Sequence, residues 1–244
     1  MRISIITVCL NSEVTIKRTI ESVLAQTFDD FEYLIIDGAS TDKTLMIVDK
    51  YRDSFNARNI PYYIYSEKDN GIYDAMNKGI KKAKGEIIGI LNSDDWYEPT
   101  ALETIARLYE RDRFDVCMCS LYLWRKRRKI VKKPRVRTFK TTRDLCHPSM
   151  FVTRDTYKCI GVYNKKFFYS DLDFWLRTFR HNVKMTVSKD VITNYTIGGV
   201  SNQKTFSKMG MRMRDRYRIY RYNHYSRFYF FECVLIEVAK LILA

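Results

Sequence analysis

The sequence is poor in residues that break secondary structure and in the usual metal and disulfide motifs. Its 244 residues include nine Gly, four Pro and three His, and none of the six Cys forms a CxxC pair. The low Gly and Pro content, with 14% aromatic residues, excludes a collagen-like or low-complexity chain and argues against disorder. Scattered Cys are typical of buried thiols in a reducing compartment, not of a disulfide framework or a zinc site.

Long uncharged apolar runs are also absent. The run at residues 3–8 is too short for a secretory signal, and no small-residue cleavage site follows it. Residues 228–244 contain Glu232, Glu237 and Lys240, whereas a transmembrane helix needs about 20 apolar residues. With no internal repeat and no Pro/Gly/Ser linker, we expect one domain at residues 1–203 and a helical tail at 204–244.

Positive charge is concentrated in two segments of a chain whose formal net charge is +15. Residues 125–137 hold nine basic and no acidic residues, residues 204–227 hold eight basic residues and one Asp, and the rest is nearly neutral. Such segments indicate a polyanionic partner, either nucleic acid or an anionic membrane surface, although solvated faces are an alternative.

The tail has the pattern of an amphipathic helix. Its three charged residues after 228 fall within a sector of about 140°, which leaves a wide apolar face. This face, preceded by a basic and aromatic stretch, predicts binding at a membrane interface; the alternative is a helix that packs on the sheet. The predicted membrane contacts are Arg212, Arg214, Arg216, Arg218 and Arg221.

Strand and helix patterns alternate through the first hundred residues. Strands are predicted at 2–8, 33–36, 62–65 and 86–91, with helices between them and another at 100–111. This alternation predicts right-handed βαβ units and a mostly parallel sheet, in which ligands bind beyond the carboxyl ends of the strands.

The second half has a different pattern. Strands are predicted at 115–124 and 129–136 around a basic turn, and at 147–152, followed by a loop rich in Tyr and Phe. A helix is predicted at 171–181, and two short strands at 183–187 and 191–197.

Acidic residues follow two of the predicted strands in the first half. Asp94 and Asp95 come directly after a buried strand, where a divalent cation with diphosphate oxygens would offset their charge; helix N-terminal acids are the alternative. Asp37 also follows a strand and could accept hydrogen bonds from a nucleobase or ribose, or serve as a turn residue.

Four segments occur in a distinctive order. They are residues 5–11 (IITVCLN), 36–44 (IDGASTDKT), 66–79 (SEKDNGIYDAMNKG) and 87–95 (IIGILNSDD). Together they resemble the signature segments of inverting glycosyltransferases of family 2, which have the GT-A type of fold. The resemblance is strongest over residues 1–100, weaker to about 200, and absent in the tail. It implies a Rossmann-like sheet flanked by helices, with a nucleotide-sugar half at 1–98 and an acceptor half at 99–203.

The resemblance also implies roles for individual residues. Asp95, with Asp94, would bind Mg²⁺ or Mn²⁺ at the donor diphosphate. A loop at Gly198-Gly199-Val200-Ser201 would approach the same diphosphate. The residues implied to bind the nucleotide sugar are Thr7, Asn11, Asp37, Asp69, Asn77 and Asp94.

An inverting transfer also needs a base for the acceptor hydroxyl. Residues 169–177 (YSDLDFWLR) resemble the family segment that supplies it, with Asp171 in the base position and Ser170 where the family often has Glu. Asp173 is the alternative base. We expect Asp171 at or before the start of the helix and Asp173 in its first turn, and this difference gives only a weak physical preference for Asp171. His147 resembles an acceptor-side residue.

The sequence thus predicts a metal-dependent inverting glycosyltransferase that uses a nucleotide-diphosphate sugar, with UDP as the expected nucleotide. The expected acceptor is a saccharide on a polyprenyl diphosphate, in bacterial surface-polysaccharide or glycan synthesis at the inner face of the cell membrane. A sugar-phosphate nucleotidyltransferase is a rival, but no Gly-rich loop follows the first strand. A nucleic-acid-binding protein would leave the acidic strand ends unexplained, so no nucleic acid is expected.

Overall fold

Four parallel strands form the first half of the sheet: β1 (Ile3–Cys9), β2 (Phe31–Asp37), β3 (Tyr62–Ser66) and β4 (Ile87–Asn92). The computed structural model describes residues 2–125, 128–196 and 206–242, and in it these strands lie in the order β3-β2-β1-β4. Every residue of β1 and β2 is buried, which explains their continuous apolar sequences. The carboxyl ends of the four strands therefore meet at one edge, as predicted.

Helices cover both faces of these strands. They are α1 (Ile16–Leu24), α2 (Thr44–Asp49), α3 (Arg52–Ala57), α4 (Ile72–Lys82) and α5 (Ala101–Asp112). The single helix expected after residue 40 is in fact the two short helices α2 and α3. Alternate side chains of β1 enter two separate cores, with Ile5 in one and Ile6 in the other. Gly79 lets α4 approach β1, because a Cβ there would lie 2.5 Å from Ile6.

The second half extends the same sheet in the order β4-β8-β6-β9-β5, with β7 paired to β6. These strands are β5 (Trp96–Tyr97), β6 (Val116–Arg125), β7 (Arg128–Lys132), β8 (Met150–Thr153) and β9 (Met185–Thr196). Strands β6 and β7 form the predicted basic hairpin, with Trp124 opposite Lys129. The prediction of two short strands after residue 182 was wrong. They are one strand, β9, whose register with β6 shifts around Ser120.

The remaining helices of this half follow β7 in the chain. A 3₁₀ turn (His147–Ser149) precedes β8, and α7 (Ser170–Arg180) matches the predicted helix. Helix α6 (Arg154–Ile160) occurs where a loop was expected. The hydroxyl of Thr153 accepts a hydrogen bond from the Thr156 amide at its start, which stabilises this short helix.

The tail forms two helices, α8 (Phe206–Tyr222) and α9 (Tyr229–Ile242), that pack on each other and on α7. Ile219, Tyr220, Tyr229 and Cys233 belong to the same core as β1 and α7. The tail is thus built into the fold through α7, whereas the alternative in the sequence analysis was packing on the sheet. In the described ranges, no helix is both long and apolar enough to cross a membrane.

Candidate active site

The loops after β1, β2 and β4 are fastened to one another at the carboxyl edge of the sheet. Asn11 has a positive φ of 49°, and its side-chain oxygen accepts a hydrogen bond from the Thr41 amide at 2.9 Å. The Asn11 amide donates to the Ser40 hydroxyl at 2.8 Å. The hydroxyls of Ser12 and Ser93 share a hydrogen bond at 2.9 Å. The predicted convergence of the strand ends is therefore observed.

Asp37 is the buried acceptor around which two of these loops are arranged. Its carboxylate accepts hydrogen bonds from the Ser40 amide at 3.0 Å, from the Ser66 hydroxyl at 2.7 Å and from the Ser40 hydroxyl. The Cys9 thiol also points at it, and burial together with the Asp37 charge raises the pKa of that thiol. Nucleotide binding by Asp37 stays a prediction.

Thr7 is placed differently from the prediction. It is fully buried on β1, and its hydroxyl accepts a hydrogen bond from Tyr33 at 3.0 Å. Since the side chain faces the apolar core, a nucleotide contact through its hydroxyl is not supported.

Asp69 and Asn77 lie on either side of the start of α4. Asp69 accepts a hydrogen bond from the Gly71 amide at 2.8 Å, and a Cβ on Gly38 would come within 2.5 Å of its carboxylate. Gly38 therefore allows the β2 and β3 loops to approach. The amide of Asn77 bonds to both backbone groups of Tyr163, at 2.8 and 3.0 Å. Asn77 thus joins the two halves, and its predicted nucleotide contact would have to compete with these bonds.

Asp94 and Asp95 follow β4 at the same edge. Asp95 is fully buried, and its carboxylate accepts a hydrogen bond from the Thr196 amide at 3.1 Å and a long one from Asn92 at 3.5 Å. Burial and the neighbouring charge of Asp94 raise the pKa of Asp95 well above its usual value. Burial also raises the pKa of the half-buried Asp94. The Arg18 guanidinium donates to the Asp94 carbonyl at 2.9 Å, so one cation lies nearby.

This acidic pair suits a hard divalent cation. Its donors are carboxylate oxygens, and the buried side-chain oxygen of Asn92 has no hydrogen-bond partner in the described part of the chain. No cluster of three or more His, Cys, Asp or Glu is found among the described residues. A cation here would therefore need further oxygens from a ligand or water, as a diphosphate provides.

Asp171 connects the second half of the chain, predicted to bind the acceptor, to the first half. It lies half-buried in the first turn of α7, and the Tyr73 hydroxyl donates to its carboxylate at 2.9 Å. Burial, and then the charge of Asp171, raise the pKa of Tyr73 well above its usual value, so this hydroxyl keeps its proton. Tyr73 belongs to α4, just after the Asp69 loop. No role was predicted for Tyr73, although it lies within the third signature segment.

Asp173 has a structural environment. It is fully buried, bonded to Arg177 at 3.0 Å and to the Asn223 side chain at 2.9 Å. Both partners hold the carboxylate inside the protein, which removes Asp173 as the rival base. Its role is to fasten α7 to α8.

His147 lies in the 3₁₀ turn and shares a hydrogen bond with the Tyr163 hydroxyl at 2.9 Å. Burial lowers its pKa, an effect partly opposed by the Asp171 charge. The ring is therefore neutral at pH 7. Its predicted acceptor-side role stays a prediction, and the loop 198–201 lies outside the described residues.

The five arginines predicted to contact a membrane separate into two groups. Arg212 and Arg216 are buried and pair with Glu237, at 2.9–3.0 and 3.1 Å. The prediction was wrong for these two, because one buried carboxylate holds both guanidinium groups inside the tail. The exposed ones are Arg214, Arg218 and Arg221.

Comparison with known proteins agrees with this geometry. The sequence pattern described as "Glycosyl transferase family 2" matches residues 4–170. A PGL/p-HBAD biosynthesis glycosyltransferase of Mycobacterium bovis (strain BCG / Pasteur 1173P2) is 30% identical over 204 residues, covering 82% of this chain and 78% of the relative.

Solved structures are similar in fold. S. aureus TarS 1–349 in complex with UDP has a TM-score of 0.71 at 19% identity, over 98% of this chain and 66% of that one. The mannosyltransferase PcManGT of Pyrobaculum calidifontis, in complex with GDP-Man and Mn²⁺, has a TM-score of 0.67 at 13% identity. The match covers 99% of this chain and 75% of that one. The chain therefore belongs to glycosyl transferase family 2 and is a glycosyltransferase with the GT-A type of fold.

Proposed function

We propose that this glycosyltransferase moves a sugar, with inversion, from a nucleotide-diphosphate sugar to a saccharide acceptor carried on a polyprenyl diphosphate. UDP is the expected nucleotide, and the site of action is the inner face of a bacterial cell membrane. Ligands named for similar proteins support the donor class, since TarS was solved with UDP and PcManGT with GDP-Man and Mn²⁺. The Tyr73–Asp171 hydrogen bond carries the proposal, because it holds a carboxylate of the acceptor half against the donor half.

Each group has a definite task in this reaction. The acceptor hydroxyl attacks the anomeric carbon, Asp171 takes its proton, and the bond to the nucleoside diphosphate breaks on the opposite face. Asp95 and Asp94 would hold Mg²⁺ or Mn²⁺, which supplies positive charge for the leaving diphosphate. Asp37, Asp69 and Asn11 shape the loops around the nucleotide.

A donor screen tests the proposal. Purified protein is incubated with UDP-, GDP- and dTDP-sugars, with Mn²⁺ or with EDTA, and released nucleotide is measured. We expect metal-dependent release from one nucleotide class, and no release from Asp95→Ala. Full activity of that variant would contradict its role in metal binding.

A second variant separates donor binding from proton transfer. Asp171→Asn should bind the nucleotide as the wild type does, measured by calorimetry, but should lose transfer. The anomeric configuration of the product, read by NMR, should be inverted relative to the donor. Retained configuration, or normal transfer by Asp171→Asn, would refute the assigned mechanism.

A further inference from the structure

Helix α9 buries apolar side chains such as Cys233 and Ile236 together with carboxylates, and it also exposes a row of apolar side chains. Its two glutamates are inside, with Glu232 7% and Glu237 1% exposed. A row of apolar side chains faces outward instead, at a spacing of three and four residues that marks one helix face. These are Phe228 (78% exposed), Phe231 (61%), Leu235 (64%) and Val238 (42%).

The orientation of α9 has a definite cause. Glu237 pairs with Arg212 and Arg216 of α8, and Glu232 accepts a hydrogen bond from Thr141 at 2.8 Å. These contacts fix the rotation of α9 about its axis, so the apolar row cannot turn inward without breaking a buried ion pair. A fixed outward apolar row of this kind marks a surface that another component covers.

A basic segment lies beside this apolar row. Residues 128–143 contain eight Lys or Arg and no acidic residue. The segment is held to the tail by the Lys140 amide, which donates to the Tyr229 hydroxyl at 2.9 Å, and by the stacked rings of Phe139 and Tyr229. The segment and α9 enclose a groove of about 850 Å³.

The groove combines positive charge with apolar surface. Both acidic residues that line it have partners. Asp144 forms an ion pair with Arg137 at 3.4 Å, and Glu232 accepts a hydrogen bond from the Thr141 hydroxyl. Leu235 and Val238 form its apolar wall. Its basic lining consists of Lys132, Lys133, Arg135, Arg137 and Arg143.

We infer that this groove and the outward row of α9 form the docking surface for a bilayer that contains anionic phospholipid. The phosphates meet the basic lining, and the apolar row enters the acyl boundary. Two copies of the chain would bring two net-positive grooves together in a symmetric dimer, which like-charge repulsion opposes. A nucleic acid would use the basic lining but leave the phenylalanines and leucine exposed.

The inference rests on the proposed membrane association and names the surface responsible for it. It keeps the apolar face that the sequence predicted within residues 228–244, but it replaces the arginines of α8 with the basic segment 128–143 as the positively charged contact. Segment 133–146 also leads from β7 to His147, the residue that the sequence analysis predicted on the acceptor side.

Vesicle sedimentation tests the inference with the full chain. The vesicles are phosphatidylcholine with or without phosphatidylglycerol. We expect binding only with the anionic lipid, weakening as salt rises.

Two variants address the surface. Phe231→Ser with Leu235→Ser should lower the partition coefficient more than about tenfold, because two large apolar groups are lost. Lys133→Glu with Arg135→Glu should lower it by about tenfold or more.

Matched controls are available on distant surfaces. Val14→Ser removes a side chain that is 90% exposed before α1, and Lys50→Glu reverses an exposed charge after α2. Both controls should bind vesicles like the wild type, and circular dichroism melts should show that all variants fold.

The outcomes are distinct. If both double variants bind anionic vesicles as the wild type does, this surface is overturned while membrane association stands. Absence of wild-type binding to anionic vesicles would overturn the membrane association as well. A dimer in light scattering that the Phe231/Leu235 variant abolishes would make a second copy the occupant and refute the lipid. Failure of the proposed transferase appears separately, as absent nucleotide release in the donor screen.

Discussion

The buried carboxylate of Asp95 should cost stability whenever no cation is bound. Asp95 is fully buried, and its carboxylate accepts one hydrogen bond of ordinary length, from the Thr196 amide. The neighbouring charge of Asp94 makes the ionised form still less favourable. Asp95→Asn keeps the size and an acceptor oxygen for Thr196 but removes the charge. In EDTA at pH 7, we expect this variant to be more stable by about 1–3 kcal/mol. For a chain of this length that corresponds to a melting temperature roughly 2–12 °C higher.

The pH dependence of this gain has a definite sign. Because the pKa of Asp95 is raised in the folded state, wild-type stability falls as the pH rises from the unfolded pKa of about 4 toward the higher folded pKa, and it levels off above that. Below the unfolded pKa of about 4, the carboxyl is neutral in both states and the cost disappears. The advantage of Asp95→Asn should therefore be largest near pH 7 and shrink toward pH 4.

Adding Mn²⁺ with UDP should reverse the order of the two proteins. Ligands at about 100 times their dissociation constant stabilise the wild type by about 2.7 kcal/mol, and the variant should gain little. Asp155→Asn is the control, since this exposed carboxylate pairs with Lys158 at the surface. An Asp95→Asn protein that melts below the wild type in EDTA at pH 7 would refute the reasoning.

Two further changes test the tail and the candidate base. Glu237→Gln should lower the free energy of unfolding by about 3–5 kcal/mol in urea titrations, because Arg212 and Arg216 lose the charged carboxylate that lies between them. A loss below about 1 kcal/mol would contradict this. Tyr73→Phe should lower the turnover number of transfer about tenfold or more, because Asp171 loses a hydrogen bond of 2.9 Å. The nucleotide affinity of this variant, measured by calorimetry, should stay unchanged. Equal losses of affinity and turnover would instead mean that Tyr73 supports the donor loop.

The donor half was predictable because its signals are local. A continuous apolar run such as that of β1 indicates a buried strand, and polar residues directly after parallel strands must meet at one edge. The meeting of the loops after β1, β2 and β4 follows from this rule, whereas the strand order β3-β2-β1-β4 was not predicted. The prediction failed at β9, where Ser188 and Asp190 interrupt the apolar pattern although the strand continues through an irregular register.

The roles of charged residues in the second half depend on partners far away in sequence. Asp171 and Asp173 are two positions apart on one helix, but only Asp173 meets Asn223, fifty residues later. The helical pattern of α9 correctly separates a charged sector from an apolar one. It cannot say which sector faces the protein, because that depends on the two arginines that hold Glu237.

The groove and the cleft are connected through a short stretch of backbone, which bears on how an acceptor could be held. Arg143 lines the groove, and His147 lies four residues later, so their Cα atoms are at most about 14 Å apart. The Lys132 ammonium donates to the Leu145 carbonyl at 2.5 Å and ties this stretch to β7. His147 in turn contacts Tyr163, which Asn77 fastens to α4. The basic groove and the Asn77–Tyr163 junction between the two halves of the chain are therefore linked through the backbone from Arg143 to His147 and the His147–Tyr163 hydrogen bond.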